Sequence, residues 1–205
     1  SCTSLTDAPE LPAETLVNWC YHYMFYGCTS LTAAPKLPAT TLASHCYDSM
    51  FRGCTSLTVA PELPATTLAG TYCYYGMFWD CTSLTVAPEL PATTLASNCY
   101  ANMFRGCTSL TAAPELPATT LTEFCYYGMF WDCTSLTTAP KLPATTLASN
   151  CYAHMFRGCT SLTVAPELPA TTLASHCYDY SMDWDCTSLT VPPEDPAENL
   201  AETWT

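Results

Sequence analysis

The chain has 205 residues, 49% of them hydrophobic, and a formal net charge of −13 from 18 acidic and five basic residues. This composition can bury a core, whereas the negative charge argues against nucleic acid and anionic membrane surfaces as partners. No run of 18 or more apolar residues occurs, so we expect no membrane insertion.

A repeat organises the whole chain. The pentapeptide Cys-Thr-Ser-Leu-Thr recurs with a step of 26 or 27 residues, and its cysteines are Cys2, Cys28, Cys54, Cys81, Cys107, Cys133, Cys159 and Cys186. A fixed period of 20–50 residues is typical of solenoids. We therefore predict a single solenoid domain over residues 1–205, with seven full units over 2–185 and a partial C-terminal unit over 186–205.

Each unit is predicted to begin with one short strand, parallel to its counterparts. In the third unit we place this strand around Ser56–Ala60. The prolines that follow it, Pro61 and Pro64, exclude both a helix interior and a central strand. One-residue insertions at Gly70–Tyr72 and Asp179–Ser181 are expected to lie at the surface, because insertions in a solenoid collect on one face.

A short helix is predicted in the second half of each unit. In Pro38–Phe51 the apolar residues Leu42, Cys46 and Met50 recur every four positions, as on one face of a helix. A proline at the start presets the helical φ, and the Gly or Asp that closes each unit tolerates the positive φ of a helix stop. Stacked units of strand, turn and helix would share one core and one parallel sheet.

The segments Met50–Leu57 (MFRGCTSL) and Ala60–Leu68 (APELPATTL), which recur through the chain, resemble the bacterial leucine-rich-repeat proteins of the Treponema type, also called BspA-like. The unit is longer than that family's usual ~23 residues and lies within the leucine-rich range. We expect an α/β repeat solenoid that is right-handed, as parallel crossovers are. The resemblance further implies a secreted or surface-exposed bacterial protein that acts in protein binding or adhesion.

Fifteen cysteines fall in two columns of the repeat. The chain has no Cys-x-x-Cys motif and no zinc-type spacing of Cys and His. We interpret both columns as small buried hydrophobic residues, which free cysteines commonly are. Disulfides between neighbouring coils remain an alternative, because adjacent strands lie only ~4.8 Å apart.

Other polar residues give no catalytic pattern. The histidines His22, His45, His154 and His176 are interpreted as surface residues, since none is paired with a carboxylate at a fixed spacing. Ser and Thr recur in every unit and are therefore structural, and an ice-binding threonine face is disfavoured by the prolines. We predict no enzyme activity, no metal and no cofactor.

A charged column follows the first proline of each unit. Its members are Glu10, Lys36, Glu62, Glu89, Glu115, Lys141, Glu167 and Glu194. We interpret it as a solvated edge. The alternative is a weak cation site at the consecutive acids Glu62, Glu89 and Glu115.

Two adjacent columns at the end of the unit alternate together, Arg-Gly in even units and Trp-Asp in most odd ones. The first column is predicted to form a surface ladder, with the members Tyr26, Arg52, Trp79, Arg105, Trp131, Arg157 and Trp184. An Arg within ~6 Å of an aromatic ring face gains about 0.5–1 kcal/mol when exposed. The residues near the second cysteine of each unit also alternate, aromatic in odd units and small or polar in even ones. The aromatic members are Trp19, Tyr72, Tyr75, Phe124 and Tyr127.

These alternating residues, the ladder together with Trp19, Tyr72, Tyr75, Phe124 and Tyr127, are the candidate ligand-binding face. Trp, Tyr and Arg are enriched at binding hot spots. The alternative is internal packing, in which large residues of one unit cover small residues of the next.

The sequence thus predicts a non-enzymatic cell-surface binding module that recognises a host or neighbouring surface or matrix protein. The alternative is a structural spacer or stalk that self-associates end to end. The acidic segment Val191–Thr205 is predicted to be a C-terminal cap. The chain opens inside a repeat, so we expect it to be an excised piece of a longer protein or a processed product.

Overall fold

The computed structural model describes residues 2–180, 186 and 188. Successive units stack as coils of a solenoid through short parallel strands, which are β1 (Thr15–Leu16), β2 (Thr41–Leu42), β3 (Thr67–Leu68) and β4 (Thr94–Leu95). Strand β1 pairs with β2 and strand β3 with β4, each threonine opposite the next threonine. Isolated parallel bridges continue this row through Thr120, Thr146 and Thr172. The predicted repeat solenoid is therefore confirmed.

A second row of contacts lies where the sequence predicted the strand. Parallel bridges join Ala33 to Val59 and Val59 to Val86, and a further set joins Ala112, Thr138 and Val164. Each bridge is a single residue long because proline follows two residues later and offers no N–H for continued pairing. The predicted strand around Ser56–Ala60 is thus reduced to one bridging residue.

The predicted helix is wrong: residues 2–180 contain no helix. Within Pro38–Phe51, Thr41–Leu42 is a strand, and the residues after it form consecutive tight turns. The backbone alternates, with φ of 59° at His45, 60° at Tyr47 and 52° at Ser49.

Stacking explains why turns replace the helix. The N–H of Met50 donates to the carbonyl of Tyr47 within the coil at 3.2 Å, whereas the N–H of Phe51 donates to Met77 in the next coil at 2.9 Å. Alternate N–H groups therefore hydrogen-bond between coils, which an α-helix would not allow. The described residues hold no helix of the length and apolar character that crossing a membrane requires.

The core consists of columns of identical side chains. The phenylalanine column stacks with ring centroids 5.5–5.7 Å apart and comprises Phe25, Phe51, Phe78, Phe104, Phe130 and Phe156. The tyrosine column has spacings of 5.6–6.0 Å and comprises Tyr21, Tyr47, Tyr74, Tyr100, Tyr126, Tyr152 and Tyr178. Offset rings at this distance stabilise a fold by about 0.5–1.5 kcal/mol per pair beyond their burial. Stacking thus favours the same residue at a core position of successive units.

The first insertion, Gly70–Tyr72, reaches the surface only in part. Thr71 is exposed and Tyr72 is half-buried, whereas Gly70 is buried against the preceding coil. A Cβ at Gly70 would lie 2.4 Å from the backbone carbon of Ala43 and the backbone nitrogen of Ser44, so only glycine fits there. The second insertion extends beyond the described residues, and the predicted cap Val191–Thr205 lies outside them.

Candidate functional site

The predicted Arg–aromatic ladder is present from Tyr26 to Arg157. The guanidinium of Arg52 lies 5.9 Å from the ring centroid of Tyr26 and 3.6 Å from that of Trp79. That of Arg105 lies 4.6 Å from Trp79 and 3.7 Å from Trp131. The sixth member, Arg157, lies 4.8 Å from Trp131. The packing prediction is therefore confirmed for these six residues, whereas Trp184 lies outside the described residues.

The geometry of the ladder restricts what it offers to a partner. Arg52 and Arg105 belong to the two coils that flank Trp79, so guanidinium groups lie over both faces of its ring. From Arg52 onward the ladder is half-buried, and only Tyr26, 45% exposed, shows much of its ring. These contacts favour internal packing, and a role of the ladder in binding stays a prediction.

The second set of alternating residues forms a shorter stack. The imidazole of His45 lies between Trp19, at 3.7 Å, and Tyr72, at 4.6 Å, with all three rings nearly parallel. Tyr75 lies beside Tyr72, with centroids 5.6 Å apart. Trp19 is exposed and both tyrosines are half-buried, so this stack presents mainly the indole to solvent.

Two coils further along, Phe124 and Tyr127 form a matching pair. Their ring centroids are 5.7 Å apart, and both side chains are half-buried. The edge of Tyr127 meets His154, whose ring stacks on Trp131 at 5.2 Å. The structure thus joins the two predicted columns into one aromatic surface at this coil.

A buried carboxylate was missed by the sequence reasoning. Asp48 is 6% exposed, and its Oδ2 lies 3.1 Å from Nδ1 of His45 and 3.6 Å from Nε2 of His22. The hydroxyl of Ser49 donates to its Oδ1 at 2.9 Å. Burial of a carboxylate is costly unless it is hydrogen-bonded, and this cluster supplies the partners.

The prediction that no histidine is paired with a carboxylate at a fixed spacing is therefore wrong. The spacing His-x-x-Asp occurs at His45 and Asp48 and again at His176 and Asp179, and both pairs are in contact. The alternating turns bring positions i and i+3 together, so the spacing in the sequence was the available signal. His22 and His45 are half-buried rather than plain surface residues.

The cysteines from Cys2 to Cys177 are free thiols, which confirms the interpretation of most as buried hydrophobic residues. The Sγ of Cys54 donates to the carbonyl of Phe25 at 3.1 Å, and the column repeats this bond. Burial raises the pKa of the Cys54 thiol to about 12 and that of Cys46 to about 11. Because thiolates are the nucleophiles, buried thiols such as those of Cys46 and Cys54 are unreactive in the folded chain. Over the described residues, no three His, Cys, Asp or Glu side chains are grouped to hold a metal ion.

A column of exposed apolar side chains was also missed. Val59, Val86 and Val164 are 63%, 65% and 58% exposed although they bridge neighbouring coils. They occupy the sixth position of the unit, where Ala33, Ala112 and Thr138 stand in other coils. Variation between two constant segments was the signal in the sequence. We call these six positions the variable column.

Two sets of partly or fully exposed apolar and aromatic side chains thus lie on the described coils, the alternating aromatic columns and the variable column. Comparison with protein-family models, with characterised proteins and with solved structures gave no match to this chain.

Proposed function

We propose that this chain is a non-enzymatic binding module that recognises a protein partner, carried by a secreted or surface-exposed bacterial protein. The proposal includes a right-handed stack of the leucine-rich-repeat kind, which rests on the resemblance and on the handedness of parallel crossovers.

The observation that carries the proposal is the exposure of the variable column. Core positions repeat the same residue in coil after coil, as in the phenylalanine column, whereas the sixth position changes among Asp, Ala, Val and Thr. An exposed valine contributes little to the core. A partner that buries it gains an apolar contact. Extended surfaces with residues changed at fixed points are how solenoids bind proteins.

The test is a binding assay against a panel of purified matrix and serum proteins. We expect saturable binding to at least one of them, and a loss of tenfold or more when Val59, Val86 and Val164 are changed together to Ser. The matched control changes the exposed Thr66, Thr93 and Thr119 to Ser, which removes three methyl groups from another column. Equal affinity of both variants would move the site away from the variable column.

The aromatic surface is tested in the same assay with Trp79→Ala and Trp131→Ala. If binding is lost while the variants remain folded, the ladder forms part of the binding site. Unchanged binding assigns the ladder to packing alone.

A second candidate is a spacer or stalk that stacks end to end. It is favoured by the similarity of the coils, which hydrogen-bond one to the next through corresponding backbone groups. Light scattering separates the two functions, because a stalk forms larger species as concentration rises and a binding module stays monomeric.

A further inference from the structure

A row of clefts lies along the charged column, on the proline segments. Each cleft is formed by two successive Pro-x-Leu-Pro segments, where x is Glu or Lys. The clefts between Pro35–Pro38 and Pro61–Pro64, between Pro61–Pro64 and Pro88–Pro91, and between Pro88–Pro91 and Pro114–Pro117 have volumes of about 520, 410 and 440 Å³. We call this row the proline groove.

The clefts follow from the sequence. Within the described coils, Pro61–Pro64 and its counterparts make no backbone hydrogen bonds to one another, although bridges join the coils two residues before. Proline has no N–H to donate, so two prolines in four residues leave adjacent segments without ladder bonds between them. The groove therefore lies where adjacent coils have no backbone hydrogen bonds between them.

The groove combines an apolar interior with an acidic rim. It is lined by prolines and by buried leucines such as Leu63 and Leu90, each 3% exposed. Glu62, Glu89 and Glu115 lie exposed at the rim in three successive coils. Like charges facing one another along a column repel, so a cation between them lowers their energy.

We propose that the proline groove binds a lysine-rich, extended segment of a partner polypeptide. A lysine side chain has an apolar stem and a cationic head, which match the proline walls and the glutamate rim. Alternate side chains of an extended segment are about 6.6 Å apart. Equivalent side chains of successive coils lie at a similar spacing, since the phenylalanine ring centroids are 5.5–5.7 Å apart. Lys36 and Lys141, one coil beyond the acids at either end, limit the site to about three lysines.

This proposal rests on the proposed function, because it names the chemistry of a partner for the same module. The probe is a labelled peptide of alternating Lys and Thr, titrated by fluorescence anisotropy at low and physiological salt. The test variant is Glu62→Gln/Glu89→Gln/Glu115→Gln. The control, Asp7→Asn/Glu14→Gln/Glu123→Gln, removes the same charge from exposed positions outside the groove.

We expect the groove variant to bind the peptide at least fivefold more weakly than the parent and the control variant to bind within twofold. A second peptide with ornithine in place of lysine keeps the charge and shortens the stem by one methylene, so it should also bind more weakly. Equal weakening of both protein variants would show general attraction by the net charge and overturn the proposal, as would absence of peptide binding by the parent. A parent that binds a protein of the panel but not the peptide would overturn the groove alone and leave the proposed function intact.

Discussion

The side chain of Asp80 occupies the space beside the Cα of Gly106, which stands at the same position of the next coil. A Cβ added to Gly106 would lie 2.3 Å from Oδ1 of Asp80, a distance that no real contact allows. The same relationship joins Asp132 and Gly158. Aspartate in one coil therefore favours glycine at the same position of the next, which agrees with the alternation of Trp-Asp and Arg-Gly along the chain.

This relationship is tested by comparing Gly106→Ala with Gly53→Ala. Both glycines have positive φ, 71° and 74°, but a Cβ at Gly53 would meet only atoms of Gly27, at 3.7 Å and beyond. We expect Gly53→Ala to lower the free energy of unfolding by about 1–2 kcal/mol through backbone strain alone. Gly106→Ala should cost clearly more in urea unfolding, and Asp80→Gly should remove the excess. Equal costs at the two glycines would contradict the match.

The ladder predicts a measurable coupling between Arg105 and Trp131. Their guanidinium and ring are 3.7 Å apart, and Arg105 also contacts Trp79. Arg105→Met keeps the aliphatic packing and removes both cation–π contacts, so we expect a loss of about 1–2 kcal/mol, or about 0.5–1 kcal/mol for each contact. A double-mutant cycle with Trp131→Ala isolates the pair in urea unfolding. Additive effects of the two changes would show that the contact contributes no stability.

Asp48 should matter more for stability than Asp179, although each is paired with a histidine three residues earlier. Asp48 is buried and has three side-chain neighbours, whereas His176 beside Asp179 is exposed. Asp48→Ala leaves the buried hydroxyl of Ser49 and the half-buried ring of His45 without this acceptor, which costs about 1–3 kcal/mol. We expect Asp179→Ala to change the urea midpoint much less. A similar shift for both would contradict the structural importance of the buried cluster.

Much of the architecture could be predicted from the sequence because the repeat itself carries it. The 26–27-residue step determines which residues of successive coils lie next to one another, and it places Arg52 beside Trp79. The ladder could therefore be predicted without knowledge of the backbone conformation of the unit. The helix could not be excluded in this way. Leu42, Cys46 and Met50 are spaced as on a helix, and in the structure they are all buried, but on a series of turns. Hydrogen bonds between coils favour turns over a helix in this segment, and the sequence of a single unit does not reveal those bonds.

The candidate surfaces also differ in whether the repeat alone was enough to predict them. The ladder was visible as alternation within columns, whereas the proline groove depends on how far apart two coils lie where backbone pairing stops. The His-x-x-Asp spacing was present in the sequence, but its meaning depends on the positive φ of His45. Contacts within one column were therefore predictable, and those that depend on backbone conformation were not.

Stability should fall at alkaline pH. Burial raises the pKa of Cys46 from its ordinary value of 9.0 to about 11 and that of Cys54 to about 12, and buried tyrosines such as Tyr74 are raised above 10.0. Above pH 9 the unfolded chain loses thiol protons that the folded chain keeps, so the unfolded state is favoured as pH rises. The stabilisation is fully present below pH 9 and is lost progressively towards pH 11–12. Urea midpoints measured from pH 7 to 10.5 check this, with Cys2→Ser, at an exposed position, as a control that keeps the slope; a flat profile would contradict it.

The thiols should be protected in the folded chain and all present after unfolding. Cys2 is exposed and Cys20 is half-buried, whereas every cysteine from Cys28 to Cys177 is buried. With a chromogenic disulfide reagent at pH 8, we expect Cys2 to react at once and Cys20 more slowly, because a reagent must reach a thiolate. The buried thiols should react only as fast as the chain unfolds, so their rate should rise with urea. In denaturant the total should approach the 15 cysteines of the sequence. A denatured total far below that number would mean disulfides between coils, and rapid reaction of most thiols in the absence of denaturant would mean that the columns are not packed as described.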